Sequence, residues 1–231
     1  MLDDKPYAVI LLSGGIDSSV ALADARYKGF SPVCLAFDYG QRHIHELQCA
    51  SIQAEGDLTV IPVQLSGSAL TFDNEVPANR TTAQMAEEKP LTYVPGRNTV
   101  FLSIAAAKCE EFGIADVFIG ANADDYAGYP DCRRPFFDAF EQMVGHWQSG
   151  FKIHTPLIDM TKKDVIEYGH TLGVDFLHTS SCYTPNKGKP CQQCDACLLR
   201  SKSFLEAGLD DPLSRDTSGR ELDGKVDVFH R

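Results

Sequence analysis

The chain has 231 residues, 43% hydrophobic and 23% charged, which excludes disordered, collagen-like and low-complexity classes. Its 21 Lys and Arg against 32 Asp and Glu leave a net charge of −11, which argues against a general nucleic-acid binder but not against a small anionic ligand. No apolar run approaches the ~20 residues that span a bilayer, and the N-terminal Met-Leu-Asp-Asp-Lys has no secretory pattern, so a soluble, cytoplasmic protein is expected.

Residues 7–13 form a continuous apolar run, the pattern of a strand buried on both faces of a parallel sheet. A helix over 18–28 ends at Gly29, a second strand covers 32–39, and a helix spans about 43–55. The strand at 58–64 contains Pro62, which favours a sheet edge. Residues 65–97 lack periodicity, and a loop of that length inside a compact domain is usually functional. A helix over 98–112 is capped by Gly113, a buried strand covers 115–121, and 122–134 is a polar loop. Helices at about 135–147 and 161–171 flank an extended stretch at 151–158. This alternation predicts an α/β fold, an open parallel sheet with helices on both faces. The composition shifts near 180. The chain therefore divides into an α/β domain over 1–180 and a small cysteine-bearing helical element over 181–231 packed on it.

Ser13-Gly14-Gly15-Ile16-Asp17-Ser18-Ser19 joins the first strand to the first helix. Two glycines let backbone N–H groups approach an anion, the helix N-terminus adds positive potential, and three hydroxyls can donate. The loop is neither a Walker loop nor a G-x-G-x-x-G fingerprint. Its S-G-G-x-D-S pattern resembles the PP-loop ATP pyrophosphatase superfamily, with an adenine-nucleotide α-hydrolase-like fold. The resemblance implies ATP binding by Leu12, Ser13, Gly14, Gly15, Ile16, Asp17, Ser18, Ser19, Val20, Ala21 and Leu22. Asp17 would orient the loop or help to hold Mg²⁺.

Three further segments narrow the family: Phe37-Asp38-Tyr39-Gly40-Gln41-Arg42-His43, Val94-Pro95-Gly96-Arg97-Asn98 and Gly128-Tyr129-Pro130-Asp131-Cys132-Arg133. Arg97, held by a Pro-Gly turn, suits neutralisation of phosphate or carboxylate. Arg42 and Arg133 offer further positive charge. Tyr126 and Tyr129 suit stacking on a purine-like base, and Asp125 and Asp131 suit pairing with its amine and ring N–H. Together the segments resemble the 7-cyano-7-deazaguanine synthases of queuosine biosynthesis, over residues 7 to about 207. That resemblance implies conversion of 7-carboxy-7-deazaguanine and ammonia, with two ATP, into the 7-cyano compound by way of an acyl-adenylate and an amide. It implies catalytic roles for Asp17 and Arg97, a homodimer, and no nucleic-acid or membrane partner. A tRNA thiolase or another amide-forming enzyme of the superfamily is the alternative.

Cys182, Cys191, Cys194 and Cys197 read C-x₈-C-x₂-C-x₂-C. Four thiolates suit tetrahedral Zn²⁺ without an open position, hence a structural site. The spacing also permits an iron–sulfur cluster. The family resemblance implies zinc, with Lys187, Lys189 and Arg200 near enough in sequence to offset its charge. Cys34, Cys49, Cys109 and Cys132 read as core residues, and the histidines show no shared metal spacing.

Overall fold

The computed structural model describes residues 5–41, 44–68, 70–71, 76–81, 85, 92–127 and 129–214; Arg42, His43, Gly128 and residues 215–231 lie outside them, as does the Tyr126 side chain. Five strands, β1 (Tyr7–Leu11), β2 (Ser31–Asp38), β3 (Leu58–Pro62), β4 (Asp116–Phe118) and β5 (Lys152–His154), pair in the order β3-β2-β1-β4-β5. Every pairing is parallel, with Val9 beside Val33 and Val117. Among the described residues the α-helices are α1 (Ile16–Tyr27), α2 (His45–Gln53), α3 (Arg97–Phe112), α4 (Arg134–Val144), α5 (Lys162–Thr171) and α6 (Asp195–Glu206).

Burial follows the strand period. Ala8, Ile10 and Leu12 face α1 and α2, where they pack with Leu22, Ala25, Cys34, Ala50 and Phe118. Val9 and Leu11 face the other side, where they join Leu35, Leu102, Ala105, Val117, Phe137, Phe140 and Ile153 from the sheet, α3 and α4. Both faces are covered, which is why β1 reads as an unbroken apolar run. A third cluster, Ile16, Val20, Leu157, Val165, Ile166, Phe176 and Phe204, ties α1 to α5 and α6. Pro62 closes β3 at the sheet edge, as expected from its missing N–H.

The chain order makes the site. From β1 the chain steps outward to β2 and β3, then crosses back to β4 and β5 on the other side of β1. The β1–β4 boundary is therefore a topological switch point, and a crevice opens there beyond the carboxyl ends of the strands. Ser13–Ser19 leaves β1 at that boundary, and Gly120–Asn122 leaves β4 beside it.

The structure shortens two expected elements and adds detail to two expected loops. The strand expected over 115–121 is confined to Asp116–Phe118, and the stretch at 151–158 contributes only Lys152–His154. The loop at 122–134 contains two 3₁₀ turns, Ala123–Ala127 and Pro130–Cys132. The described parts of 65–97 are partly anchored: Ala78 bridges Cys194, and Asn79 N donates to Gln193 O at 2.8 Å.

Candidate active site

The glycine loop is held from several directions. Gly14 has φ +84°, and a Cβ there would meet Glu46 O at 2.0 Å and Ala50 N at 2.7 Å, so only glycine lets the loop lie on α2. Ser180 N donates to Gly14 O at 2.8 Å. Ser13 N donates to Ser18 Oγ at 3.2 Å, and Gly15 N to Ser13 Oγ at 3.3 Å. The hydroxyls of Ser18 and Ser19 both donate to Gly15 O, at 3.1 and 2.9 Å. Gly15 is the N-cap of α1, and a Cβ on it would meet nothing nearer than 3.4 Å, so the cradle has room in front of it.

Asp17 of the loop meets Lys162, with Asp124 and Asp125 beside them. Lys162 Nζ bonds both carboxylate oxygens of Asp17, at 2.7 Å to Oδ1, and the Lys162 backbone N donates to Asp124 Oδ2 at 2.7 Å. A capping box starts α5 there: Asp164 N donates to Thr161 Oγ1 at 3.3 Å, while Thr161 N donates back to Asp164 Oδ2 at 2.9 Å. Burial alone would lower the Lys162 ammonium, but Asp17 and Asp125 outweigh it and raise its pKa. Asp125 accepts the Asn122 N–H at 3.3 Å. Burial pushes its carboxyl up to about 6, with Asp17 adding to the rise and Lys162 opposing it. Gly120 brings β4's end against α1: a Cβ there would lie 2.6 Å from Asp17 C and 2.8 Å from Ser18 N.

The third wall is aromatic and basic. Phe37 stacks on Phe101 at 3.9 Å, and the Arg97 guanidinium lies 5.9 Å from the Tyr39 ring centre. Tyr129 OH bonds Thr92 Oγ1 at 3.1 Å. Asp131 is buried and turned to α3: its Oδ2 accepts from Asn98 N at 3.2 Å, and Asn98 Nδ2 donates to Asp131 O at 2.9 Å and to Cys132 Sγ at 3.2 Å. Burial, with Asp125 and Asp131 adding, raises the Cys132 thiol to about 12, so it is no nucleophile at neutral pH. These walls enclose a cleft of about 1420 Å³, into which Ser13, Asp17, Arg97, Asp125, Tyr129 and Lys162 project.

The four clustered cysteines come together beside it. Their sulfurs all lie within 4.8 Å of one another, and none forms a disulfide. Cys191 N donates to Cys182 Sγ at 3.2 Å and Cys194 N to Cys191 Sγ at 3.4 Å. Lys187 and Gly188, both at positive φ, form the tip of a tight hairpin closed by Asn186 and Lys189. Arg80 pairs with Asp195. Arg200 is 4% exposed; its Nε and Nη2 bond the two Asp211 oxygens at 2.8 and 2.9 Å, and its Nη1 bonds Thr179 Oγ1 at 2.8 Å. Its charge is therefore spent on Asp211, contrary to the expectation that it would offset the thiolates.

The family described as "Queuosine biosynthesis protein QueC" matches residues 7–208. The chain belongs to this family. It is 49% identical over 228 residues to the 7-cyano-7-deazaguanine synthase of Kineococcus radiotolerans, covering 91% of this chain and 97% of that one. It is 48% identical over 219 residues to the synthase of the same name from Myxococcus xanthus, covering 89% and 95%. A solved NMN synthetase from Francisella tularensis is similar at 18% identity and a TM-score of 0.48, over 90% of this chain and 79% of that one.

Within this QueC-family chain the expected site residues fall into three groups. Leu12, Ser13, Gly15, Ile16, Asp17 and Ser18 line the cleft, whereas Gly14 packs on α2 and Ser19, Val20, Ala21 and Leu22 are buried in α1 behind the loop. Arg97, Tyr129 and Arg133 line the opposite wall, while Asp131 lies behind it, bonded to Asn98. Arg42 and the side chain of Tyr126 lie outside the described residues. Nothing in the sequence alone marks Lys162, Gly120 or Asn122 as site residues. A lysine opening a helix reads as a solvated charge until the fold brings Asp17 to it.

Proposed function

We propose that this chain converts 7-carboxy-7-deazaguanine, ammonia and two ATP into 7-cyano-7-deazaguanine, two AMP and two pyrophosphates. The observation that carries this reading is one cleft holding the Ser13–Ser19 cradle on one wall and Arg97 on the other. The backbone N–H groups of the first turn of α1 suit the pyrophosphate end of ATP. Arg97 suits the substrate carboxylate and holds it for attack on the α-phosphorus. Asp17, with its carboxylate on Lys162, orients the loop rather than serving as a separate ligand. Mg²⁺ would arrive on the phosphates and screen their charge. Ammonia then displaces AMP to give an amide, and a second adenylation on the amide oxygen lets AMP leave as the nitrile forms. The raised Cys132 thiol supports a route with no covalent enzyme intermediate.

The four-cysteine cluster fits Zn²⁺. Four sulfurs within 4.8 Å suit the ~3.8 Å separations that ~2.3 Å zinc–sulfur bonds impose, and backbone N–H groups already point at Cys182 and Cys191. Filled by thiolates, the site has no open position, so its contribution is to hold the 181–214 element and residues 78–80 against the α/β domain. The reading also includes action in the cytoplasm on small molecules, without nucleic acid or membrane, as a homodimer. Among the described residues no helix is long and apolar enough to cross a membrane.

The test is stoichiometry with purified protein. Two AMP and two pyrophosphates per nitrile are expected, and the 7-amido compound should be accepted with one ATP and no ammonia. An inert amide, or a reaction that stops at the amide after one AMP, overturns the reading in favour of an amide-forming relative.

A further inference from the structure

We propose that Asp125 is the general base that removes protons from the substrate nitrogen in nitrile formation. The inference rests on the function proposed above. Three N–H protons must leave between ammonia and nitrile. In the first step nitrogen bonds the acyl carbon, the C–O bond to AMP breaks, and one N–H proton leaves. In the second, the amide oxygen bonds the α-phosphorus, pyrophosphate departs, and a second N–H proton leaves to give an imidate adenylate. In the third, the C–O bond to AMP breaks as the carbon–nitrogen triple bond forms, and the last N–H proton leaves. Each proton passes to an Asp125 oxygen and then to solvent before the next step, so one carboxylate serves all three.

The acids on the cleft wall are otherwise engaged. Asp17 is bonded to Lys162, and Asp124 to the backbone of Lys162. Asp195 is paired with Arg80 and Glu206 with Lys202, while Glu46 accepts from Gln41 Nε2 at 3.0 Å. The Asp125 carboxylate accepts one bond among the described residues, the Asn122 backbone N–H at 3.3 Å, and leaves an oxygen for a substrate proton. Asp17, Lys162, Arg97 and Asp125 line one cleft, and in the function proposed above the first two flank the phosphates while Arg97 holds the carboxylate. In that arrangement the bond being made and broken would lie between them, within the cleft that Asp125 lines. Beside it, Asn122 lines the same cleft with no exposure, and its Nδ2 has no partner among the described residues. The charged and titratable groups around Asp125 are Lys162 from α5, Asp17 from α1, Arg97 from α3, and Asp124, Tyr129 and Cys132 from its own loop. Its carboxyl, raised to about 6, is a stronger base than an ordinary aspartate and still ionised at neutral pH.

Asp125→Asn keeps the shape and the acceptor for the Asn122 N–H, and Asp125→Ala opens room for an added carboxylate. Two rates are measured for each: pyrophosphate–ATP exchange dependent on the carboxy substrate, which reports adenylation without proton removal from nitrogen, and nitrile formation at a fixed concentration of free ammonia. The expected result for Asp125→Asn is exchange within about threefold of the parent and nitrile formation down by roughly 10²–10⁴-fold. The acidic limb of the parent's nitrile pH profile, where the rate rises as the base deprotonates, should vanish. Formate should restore part of the Asp125→Ala rate. Exchange and nitrile formation falling together would make Asp125 a binding group and overturn the proposal, as would an unchanged nitrile rate or a persistent acidic limb. No substrate-dependent exchange in the parent protein would instead overturn the proposed function.

Discussion

Gly120→Ala is the sharpest probe of how the fold builds the proposed phosphate site. The added Cβ would lie 2.6 Å from Asp17 C, 2.7 Å from Asp17 O and 2.8 Å from Ser18 N, all backbone atoms that no rotamer change can move. Restoring ordinary contact means widening 2.6 Å to 3.4 Å, so the end of β4 and the first turn of α1 must part by about 0.8 Å. Overpacking of this kind costs about 1–3 kcal/mol. In a chain of this size that lowers Tm by roughly 2–12 °C. Catalysis should suffer more than folding, because a displacement near 1 Å in a positioning element can cost about 10²-fold. The paired substitution is Gly15→Val, at a position with φ −81° where an added Cβ would meet Ser13 Oγ at 3.4 Å and Ser180 O at 3.5 Å, ordinary contacts that need no shift of backbone. It should melt close to the parent yet lose adenylation, because its bulk would occupy the place proposed for phosphate rather than that of protein. Differential scanning calorimetry and pyrophosphate–ATP exchange measure the two effects on the same samples. A Gly120→Ala protein with parental Tm and exchange would refute the packing argument, and a Gly15→Val protein with parental exchange would remove the loop from the chemistry.

Other outcomes follow from the same geometry. Elemental analysis should find one zinc per chain, and Cys194→Ser should lower Tm and solubility before activity is assayed, because the binding energy of a structural zinc is folding energy; iron, or a stable metal-free protein of full activity, would contradict this. Arg200→Ala leaves Asp211 charged and 8% exposed, a loss of about 3–5 kcal/mol, whereas Arg200→Met with Asp211→Leu should recover most of it; equal urea midpoints for the single variant and the parent would refute the buried pair. Arg97→Ala should slow the carboxylate substrate more than the neutral 7-amido compound, a comparison of kcat/KM values that equal losses would contradict. The Thr161 hydroxyl and N–H hold the Asp164 carboxyl below its ordinary 3.8. A depressed carboxyl stabilises the fold above its unfolded pKa and loses that share as pH falls through the folded value. Asp164→Asn should therefore flatten the acid side of the stability profile below about pH 4, and an unchanged profile would show that the cap is idle.

What the sequence determined by itself was local or periodic. The run at 7–13 could be read because both sheet faces are covered and each residue is apolar on its own account. Pro62 marked an edge because a missing N–H is a property of the residue. The Ser13–Ser19 loop and the cysteine cluster could be read because their ligating groups are a few residues apart, so turn geometry alone brings them together. The tertiary structure decided which charges meet. Lys162 is 145 residues from Asp17, and Arg80 is 115 residues from Asp195. The residue types alone cannot distinguish such pairs from solvated side chains. It also decided which acids are available: Asp125 and Asp131 read alike as polar loop residues, but the start of α3 gives Asp131 the Asn98 N–H as a partner, while Asp125 faces the cleft. Gly120 shows the same limit. Its necessity comes from a backbone crossing at Asp17, and a crossing between distant segments leaves no mark on the spacing of the residues that make it.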